Sequence, residues 1–471
     1  MVPGEHTHPR AARLYSDQDE LDESCDASPM RDRSHLRVVT DLASRPDLRH
    51  PRRSDVVVYR VRVDIDDADP PIWRRIDLRS DLTLDVVHQV LQVAFDWTDS
   101  HLHRFSLGGG AFDWDSQLFL CPYDVVEPDF EDDGVPAAET HLDETLTATG
   151  DALHYLYDYG DNWELTLRLE QVLPAEGACA AAVVVDGERA APPEDCGHLV
   201  EAASLAEVLP DPARFEQDRI NDALRGPFFV LREAKVDPRL VDLVHRLGYT
   251  AHGDSLSHAA LALTAEPARL EAADLVGHLR GFQWFLDRAA DGGIPLTGAG
   301  YLKPADVVEA SKVVPVMADW IGAKNREAHC YPLLQFREML QDLGLLRKYK
   351  GQLLLTKAGQ AAQRDVNALF EHLACRLNPK PGDEFHVQAS LLTLTYAAAS
   401  PDAQLPLSTI AAILTELGWR HANGIPVTES ALRHLPVYEV LSNVTDQPAT
   451  WRRRNVISPG AAALARRALG L

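Results

Sequence analysis

Hydrophobic and polar positions alternate strictly over Val57, Tyr59, Val61, Val63 and Ile65. A period of two marks a strand with one buried face. Asp69-Pro70-Pro71 interrupts the pattern, and Ile72-Trp73-Arg74-Arg75-Ile76 begins a second short strand. Thr83 stands where it can cap a helix whose Val87, Val90, Leu91 and Ala94 follow helical spacing. Trp97 to Phe105 reads as a loop entering a strand, and residues 113–149, acidic and turn-rich, as a long surface excursion. Leu153 to Pro174 reads as a hairpin that closes the sheet. Tyr155, Tyr157 and Tyr159 alternate in its first strand. In the second, Trp163, Leu165, Leu167 and Leu169 share one face, and Glu164, Thr166, Arg168 and Glu170 the other. Gly160, Asp161 and Asn162 supply the turn, because Gly and Asn accept positive φ cheaply.

From Ala260 onward the pattern becomes helical, with short basic hairpins between helices. Phe336, Met339, Leu340 and Leu343 have helical spacing and Gly344 ends that helix. Leu345-Leu346-Arg347 and Gln352 to Leu355 flank Lys348-Tyr349-Lys350-Gly351 as a hairpin, after which Thr356 caps another helix. A similar order recurs. Ile410, Ile413, Leu414 and Leu417 precede Gly418, a helix runs near Thr428 to Ser442, and Trp451 to Ile457 supply a hairpin strand. Ser458-Pro459 then starts a helix with Pro at its first position. The parallel between Thr356-Lys357-Ala358-Gly359 and Ser458-Pro459-Gly460-Ala461 suggests two diverged copies of one unit, each resembling a winged helix in element order.

Composition adjusts this picture in three places. Residues 1–54 mix both charges with Pro, Ser and His without apolar period, which predicts a disordered leader. The net charge of −25 is concentrated: residues 55–175 hold 7 Arg, no Lys and 26 Asp plus Glu, hence 7 − 26 = −19. That argues against a surface that binds nucleic acid everywhere, and leaves basic character local to the wings. Six scattered cysteines without a CxxC suggest free thiols in a reducing compartment. No signal-like segment or membrane-length apolar run is apparent, so a cytoplasmic protein without membrane contact is expected.

Several separated motifs occur in order: Ile72-Trp73-Arg74-Arg75, the Thr83-Leu84 helix with His88, and Trp97-Thr98-Asp99-Ser100-His101-Leu102-His103. Tyr157-Asp158-Tyr159-Gly160-Asp161-Asn162-Trp163-Glu164 follows, then Asp186-Gly187-Glu188-Arg189 with Pro192-Pro193-Glu194-Asp195-Cys196-Gly197. Together they resemble the plasmid pRiA4b ORF-3-like family, also known as the TnpR passenger proteins of an insertion element, over about residues 55–248. The resemblance implies an α+β domain found near mobile elements, with no established active site. Recombinase chemistry is not carried over, since no nucleophilic serine sits among arginines.

The fold expected is thus α+β. An N-terminal antiparallel-sheet domain with packed helices (55–248) precedes a mainly helical region with two winged-helix-like units, 260–380 and 381–471. His101 and His103, two apart, would share one face of a strand and could share a metal with Asp99, Asp158 or Asp161; equally, they could pack against Trp97 and Phe105. Cys179, Cys196 and His198 could ligate zinc or belong to a rigid loop. The motif residues Trp73, Arg74, His88, Trp97, Asp99, His101, His103, Asp158, Gly160, Asp161, Trp163 and Glu164 form the candidate site. Arg347, Lys348 and Lys350 on the first wing and Arg452, Arg453 and Arg454 on the second are candidate phosphate contacts, though cations also decorate solvated hairpin tips. The expected function is non-enzymatic binding of DNA or protein through the wings, with no cofactor and no catalytic or metal residue assigned. The rival is a metal-dependent hydrolase using His101, His103, Asp158, Asp161 and Glu164. A third reading has the acidic domain bind a basic protein partner.

Overall fold

Burial follows the alternation. Val57–Ile65 (β1) buries every second residue, and Trp73–Arg79 (β2) follows the same rhythm. A computed structural model describes residues 2–3, 45–126, 133–175, 179–197, 202–248, 250–266, 270–450, 452–453 and 455–471. The chain divides into two compact units, one within residues 14–229 and one built chiefly of 230–471.

In the first unit, helix Leu84–Ala94 (α1) buries Leu84, Val87, Val90 and Leu91 in the sheet's core. Thr83 precedes α1 as expected, but its hydroxyl bonds the Asp85 carboxylate rather than a backbone N–H. Then come His103–Leu107 (β3), Gln117–Leu120 (β4), Gly134–Pro136 (β5), Ala152–Tyr157 (β6), Trp163–Pro174 (β7) and Ala182–Glu188 (β8). The eight strands lie in the order β5-β4-β3-β6-β7-β1-β2-β8, antiparallel except for β4 with β5. One face buries Tyr59, Ile76, Phe105, Tyr155, Trp163 and Leu167 completely or nearly so. The other carries a charge ladder: Arg60 meets Asp77 at 2.8 Å, and Arg75 bridges Glu170 at 2.7 Å and Asp186 at 2.8 Å. Such half-exposed pairs are worth at most about 1 kcal/mol each, so the apolar face holds the sheet.

Three expectations need correction. The β6–β7 hairpin lies in the middle of the sheet, with β3 on one side and β1 on the other, and does not close it. Among the described residues of 113–149 the expected surface excursion is interrupted by core: Asp113 to Asp115 are exposed, but all of β4 is buried, and Leu142 and Leu146 are inaccessible. Of the leader expected over 1–54, residues 4–44 lie outside the described residues, and order already begins before residue 55. Leu48 N–H donates to Gln117 Oε1 at 2.6 Å, His50 N–H to the Glu144 carbonyl at 2.8 Å, and Arg52 pairs with buried Asp143 at 2.7 Å. Little apolar area is needed where polar anchors recur this densely.

Each sheet edge carries a feature that limits further pairing. β5 has three residues and ends in Pro136. At β8, Asn221 from helix Gln217–Ala223 accepts from Val184 N–H at 2.8 Å and donates to Val184 O at 2.9 Å.

The second unit is mainly helical. Helix Arg280–Ala290, strand Ile294–Pro295, helix Pro304–Val313 and helix Tyr331–Asp342 precede the hairpin Leu346–Tyr349 and Gln352–Leu355. The first short strand pairs with the last, giving a three-stranded sheet. Gly344 ends the third helix at φ 72°. Thr356 Oγ1 accepts from Gly359 N–H at 3.0 Å and starts helix Lys357–Arg364; Ser458 Oγ accepts from Ala461 N–H at 3.0 Å and starts helix Pro459–Ala468. The later region differs from expectation. Pro436 splits the helix near Thr428 to Ser442 into Glu429–Arg433 and Pro436–Asn443. The strand expected over 451–457 is reduced, among the described residues, to one bridge between Gln404 and Val456. No helix among the described residues is long and apolar enough to cross a membrane.

Candidate functional site

The separated motifs meet where β3, the β6–β7 turn and loop 189–197 come together. The turn is tight: Asp158 and Asn162 take φ 58° and 52°, and Asp158 Oδ1 accepts from Gly160 N–H at 2.9 Å. Asp and Asn tolerate this region because their short side chains bond the nearby backbone. Trp163, fully buried, anchors one strand; Trp97 stacks on Tyr157 at 5.0 Å between ring centres and donates to the Pro192 carbonyl at 2.9 Å.

Glu194 ties the loop down. Its carboxylate accepts from Thr98 N–H at 3.0 Å, from the Thr98 hydroxyl and from the Tyr157 hydroxyl, while Tyr157 Oη accepts from Ser100 N–H at 3.1 Å. Burial pushes Glu194 up, but the bonds from Thr98 and Tyr157 outweigh it and hold the carboxyl below its ordinary value. Burial, then Glu194, pushes the Tyr157 phenol up. Asp161 Oδ2 accepts from Gly197 N–H at 2.9 Å, a second clip on the same loop.

Two histidine-carboxylate groups flank these clips. His88, Asp99 and His103 form one; His101, Asp158 and Asp195 form the other, and in each the ligand-type atoms lie within 4.8 Å of one another. His88 uses both nitrogens, Nε2 on Asp99 Oδ1 at 2.8 Å and Nδ1 on the Tyr155 hydroxyl at 2.7 Å. Gln89 and Gln92 complete the shell, on Asp99 Oδ2 at 2.7 Å and on Tyr155 Oη at 3.1 Å. The His103 ring stacks on His88 with centres 3.4 Å apart and planes 8° from parallel. Burial, then the neighbouring His88, drives His103 well below its ordinary value, which keeps its ring neutral. An ion binds an imidazole in the ring plane at about 2.0–2.1 Å, and no point lies in two parallel planes. As stacked, His88 and His103 cannot both ligate one ion.

His101 lies with Nδ1 3.6 Å from Asp158 Oδ2 and Nε2 3.3 Å from Asp195 Oδ1. Its two nitrogens thus face different carboxylates. The expectation that His101 and His103 share a metal fails because regular strand pairing starts only at His103; the period-two argument does not reach one turn upstream. The remaining residues of that rival set also scatter: Asp161 is spent on Gly197, and Glu164 is exposed on the face opposite Trp163. Cys179 and Cys196 join neither group, and His198 lies outside the described residues.

Trp73 sits on the charged face, its ring under Arg62 and Arg75. Arg74, in contrast, is buried, at a position between Ile72 and Ile76 where the alternation demands an apolar residue. That arginine on a core-facing strand position was the readable signal of an unusual environment. Glu194, the acid that follows Pro192-Pro193, carries no such signal in the sequence. In the second unit, Arg347, Lys348 and Lys350 are exposed on the hairpin. Arg452 and Arg453 are exposed in a turn rather than on a wing strand, and Arg454 lies outside the described residues.

Fold and site together define an α+β sheet domain whose dispersed motifs converge at one end of the sheet. Residues 57–242 match the family described as plasmid pRiA4b ORF-3-like protein, and the chain belongs to that family. Residues 275–368 match the Y4jL N-terminal domain. The chain is 30% identical over 157 residues to an uncharacterized protein, y4hQ, of Sinorhizobium fredii, across 33% of this chain and 75% of that one. It is also similar to a protein of unknown function, MM3350, from Methanosarcina mazei Go1. That likeness is 26% identical, spans 36% of this chain and 98% of the other, and has a TM-score of 0.30.

Proposed function

We infer that this chain is a non-enzymatic binding protein whose hairpin Leu346–Leu355 grips a nucleic-acid phosphate backbone without reading sequence. The supporting observation is the order helix, strand, two helices, hairpin over residues 280–355, with the first strand paired to the last, which is the order of a winged helix. Its wing exposes Arg347, Lys348 and Lys350 around Tyr349. The third helix, which would lie in a groove, exposes Glu338 and Asp342 and no cation, since Arg337 is buried against Glu327. The arginine or lysine that most often reads guanine is therefore missing from that helix face, and contact falls to the wing.

Three phosphate contacts imply a log-log salt slope of about −2.7, a loss of roughly 40-fold in affinity between 50 and 200 mM salt. Fluorescence anisotropy with a mixed-sequence duplex tests this. Binding at low salt should disappear in the triple variant Arg347→Gln, Lys348→Gln, Lys350→Asn, the last keeping a residue that tolerates the turn. No binding at 50 mM salt, or binding untouched by the triple variant, would refute the reading and leave a protein partner in its place.

A second reading, metal-assisted hydrolysis, is supported by the proximity of His101, Asp158 and Asp195. It requires the His101 ring to turn one nitrogen toward both carboxylates. Equilibrium dialysis with zinc or manganese would sink it if wild-type protein and His101→Ala retained the same metal.

A further inference from the structure

Arg74 is 3% exposed, yet no carboxylate among the described residues pairs with it. Its Nε donates to the Ala94 carbonyl at 2.9 Å, and its Nη1 to the carbonyls of Trp73 at 2.8 Å and Glu188 at 3.1 Å. The guanidinium lies 5.0 Å from the rings of both Phe95 and Phe215. Three of its five N–H donors are thereby used, and among the described residues none accepts from Nη2. The nearby Asp96 is spent elsewhere, on Arg219 at 2.7 Å. Burial accordingly lowers the Arg74 pKa to about 10, against the pull of Asp96. A buried cation without a counter-charge is costly, and natural cores pair such groups or leave them out.

Arg74 lines a cavity of about 380 Å³ within the same unit. Its walls include Ala190, Ala191, Leu209, Phe215 and Ile220, with Arg214 and Arg219 at the rim, both paired with Glu216. The volume is at the small end of ligand sites.

We propose that this cavity binds a small organic acid, its carboxylate taken by Arg74 Nη2 and its apolar body held by the alanine, leucine and phenylalanine walls. Asp96, Asp211 and Glu216 in the same lining disfavour a dianion such as phosphate, and the apolar walls offer it nothing. A monoanion with a short hydrocarbon tail satisfies both the two free donors and the walls.

Calorimetric titration of the full chain at constant ionic strength tests this with hexanoate, hexan-1-ol and inorganic phosphate as probes. Hexanoate should bind in the millimolar range, with hexanol and phosphate each at least about tenfold weaker. Ala191→Phe, which fills the cavity without touching Arg74, should abolish hexanoate binding, and Arg74→Gln should reduce the preference for hexanoate over hexanol to near unity. Should Arg74→Gln fail to fold, Ala191→Phe and the hexanol comparison still decide. Absence of hexanoate binding at roughly tens of millimolar, equal binding by Ala191→Phe, or tighter binding of phosphate would each overturn the assignment.

Discussion

Replacing Glu194 with Gln should loosen the joint between loop 189–197 and residues 97–100 of the loop that precedes β3. In the native protein the Glu194 carboxylate collects three donors: Thr98 N–H, the Thr98 hydroxyl and the Tyr157 hydroxyl. A hydrogen bond to a charged acceptor is worth about 1.5–3 kcal/mol net when buried. Glu194 is only half-buried, so solvent screening reduces the sum to about 1–2 kcal/mol. Tyr157→Phe should cost a similar amount, because it also strips Ser100 N–H of its acceptor. If the two act through one contact, the double variant costs less than the sum of the singles, with a coupling of about 0.5–1.5 kcal/mol.

The pH dependence carries the sign. Glu194 is held below its ordinary value in the folded protein, so its contribution is present above the unfolded pKa, about 4.3, and is lost as pH falls through the lower folded value. Urea unfolding of wild type and variants at pH 7 and at pH 3.5 measures both effects. The gap between wild type and Glu194→Gln should be widest at pH 7 and narrow in acid. A Glu194→Gln protein as stable as wild type at pH 7, or strictly additive costs, would refute the idea that this carboxylate fastens the loop.

Further outcomes follow from burial and charge. Phe119→Ala, in a strand that composition alone hides, should destabilise by about 3–5 kcal/mol, whereas Phe112→Ala, 64% exposed, should change chemical stability by less than about 0.5 kcal/mol. His103 is held neutral by burial, so wild-type stability should fall as pH drops below 6.5, at up to ~1.4 kcal/mol per unit. His103→Phe should flatten that slope in denaturation series between pH 7 and 5. Arg337 and Glu327 form a buried pair at 2.6 Å. Arg337→Met strands the Glu327 charge and should cost about 3–5 kcal/mol, read as a lowered unfolding midpoint, while the double replacement Arg337→Met with Glu327→Leu should recover much of it.

What the sequence made legible was the half-buried part of the fold. Val57–Ile65 and Trp163–Leu169 announce themselves because one face is wet, and the capped helices after Thr356 and Ser458 because their caps are local. Gln117–Leu120 escaped notice because a strand buried on both faces has no alternation, and the surrounding acids swamped its four residues. The charges of 113–149 turn out to serve partly inward, as with Asp143 on Arg52 and Asp124 on Arg104. The candidate site was recognisable as a set of motifs but not as an arrangement. Nothing in the spacing of His88, His101 and His103 reveals that two of the three rings stack while the other is held between different carboxylates. Tertiary contacts decide that, and they run between segments as far apart as Thr98 and Glu194.

Asn221 has a bearing on how such a protein behaves in a crowded solution. A strand at the border of a sheet offers its amides and carbonyls to any passing chain, and stacking through that border is how fibres begin. By occupying both groups of Val184 with one side-chain amide, the helix imitates a further strand one residue long and denies visitors a starting point. At the opposite border the brevity of Gly134–Pro136 and its proline have the same effect. A sheet this wide can therefore remain finite without a barrel's closure, and Asn221 is where its restraint would first be lost.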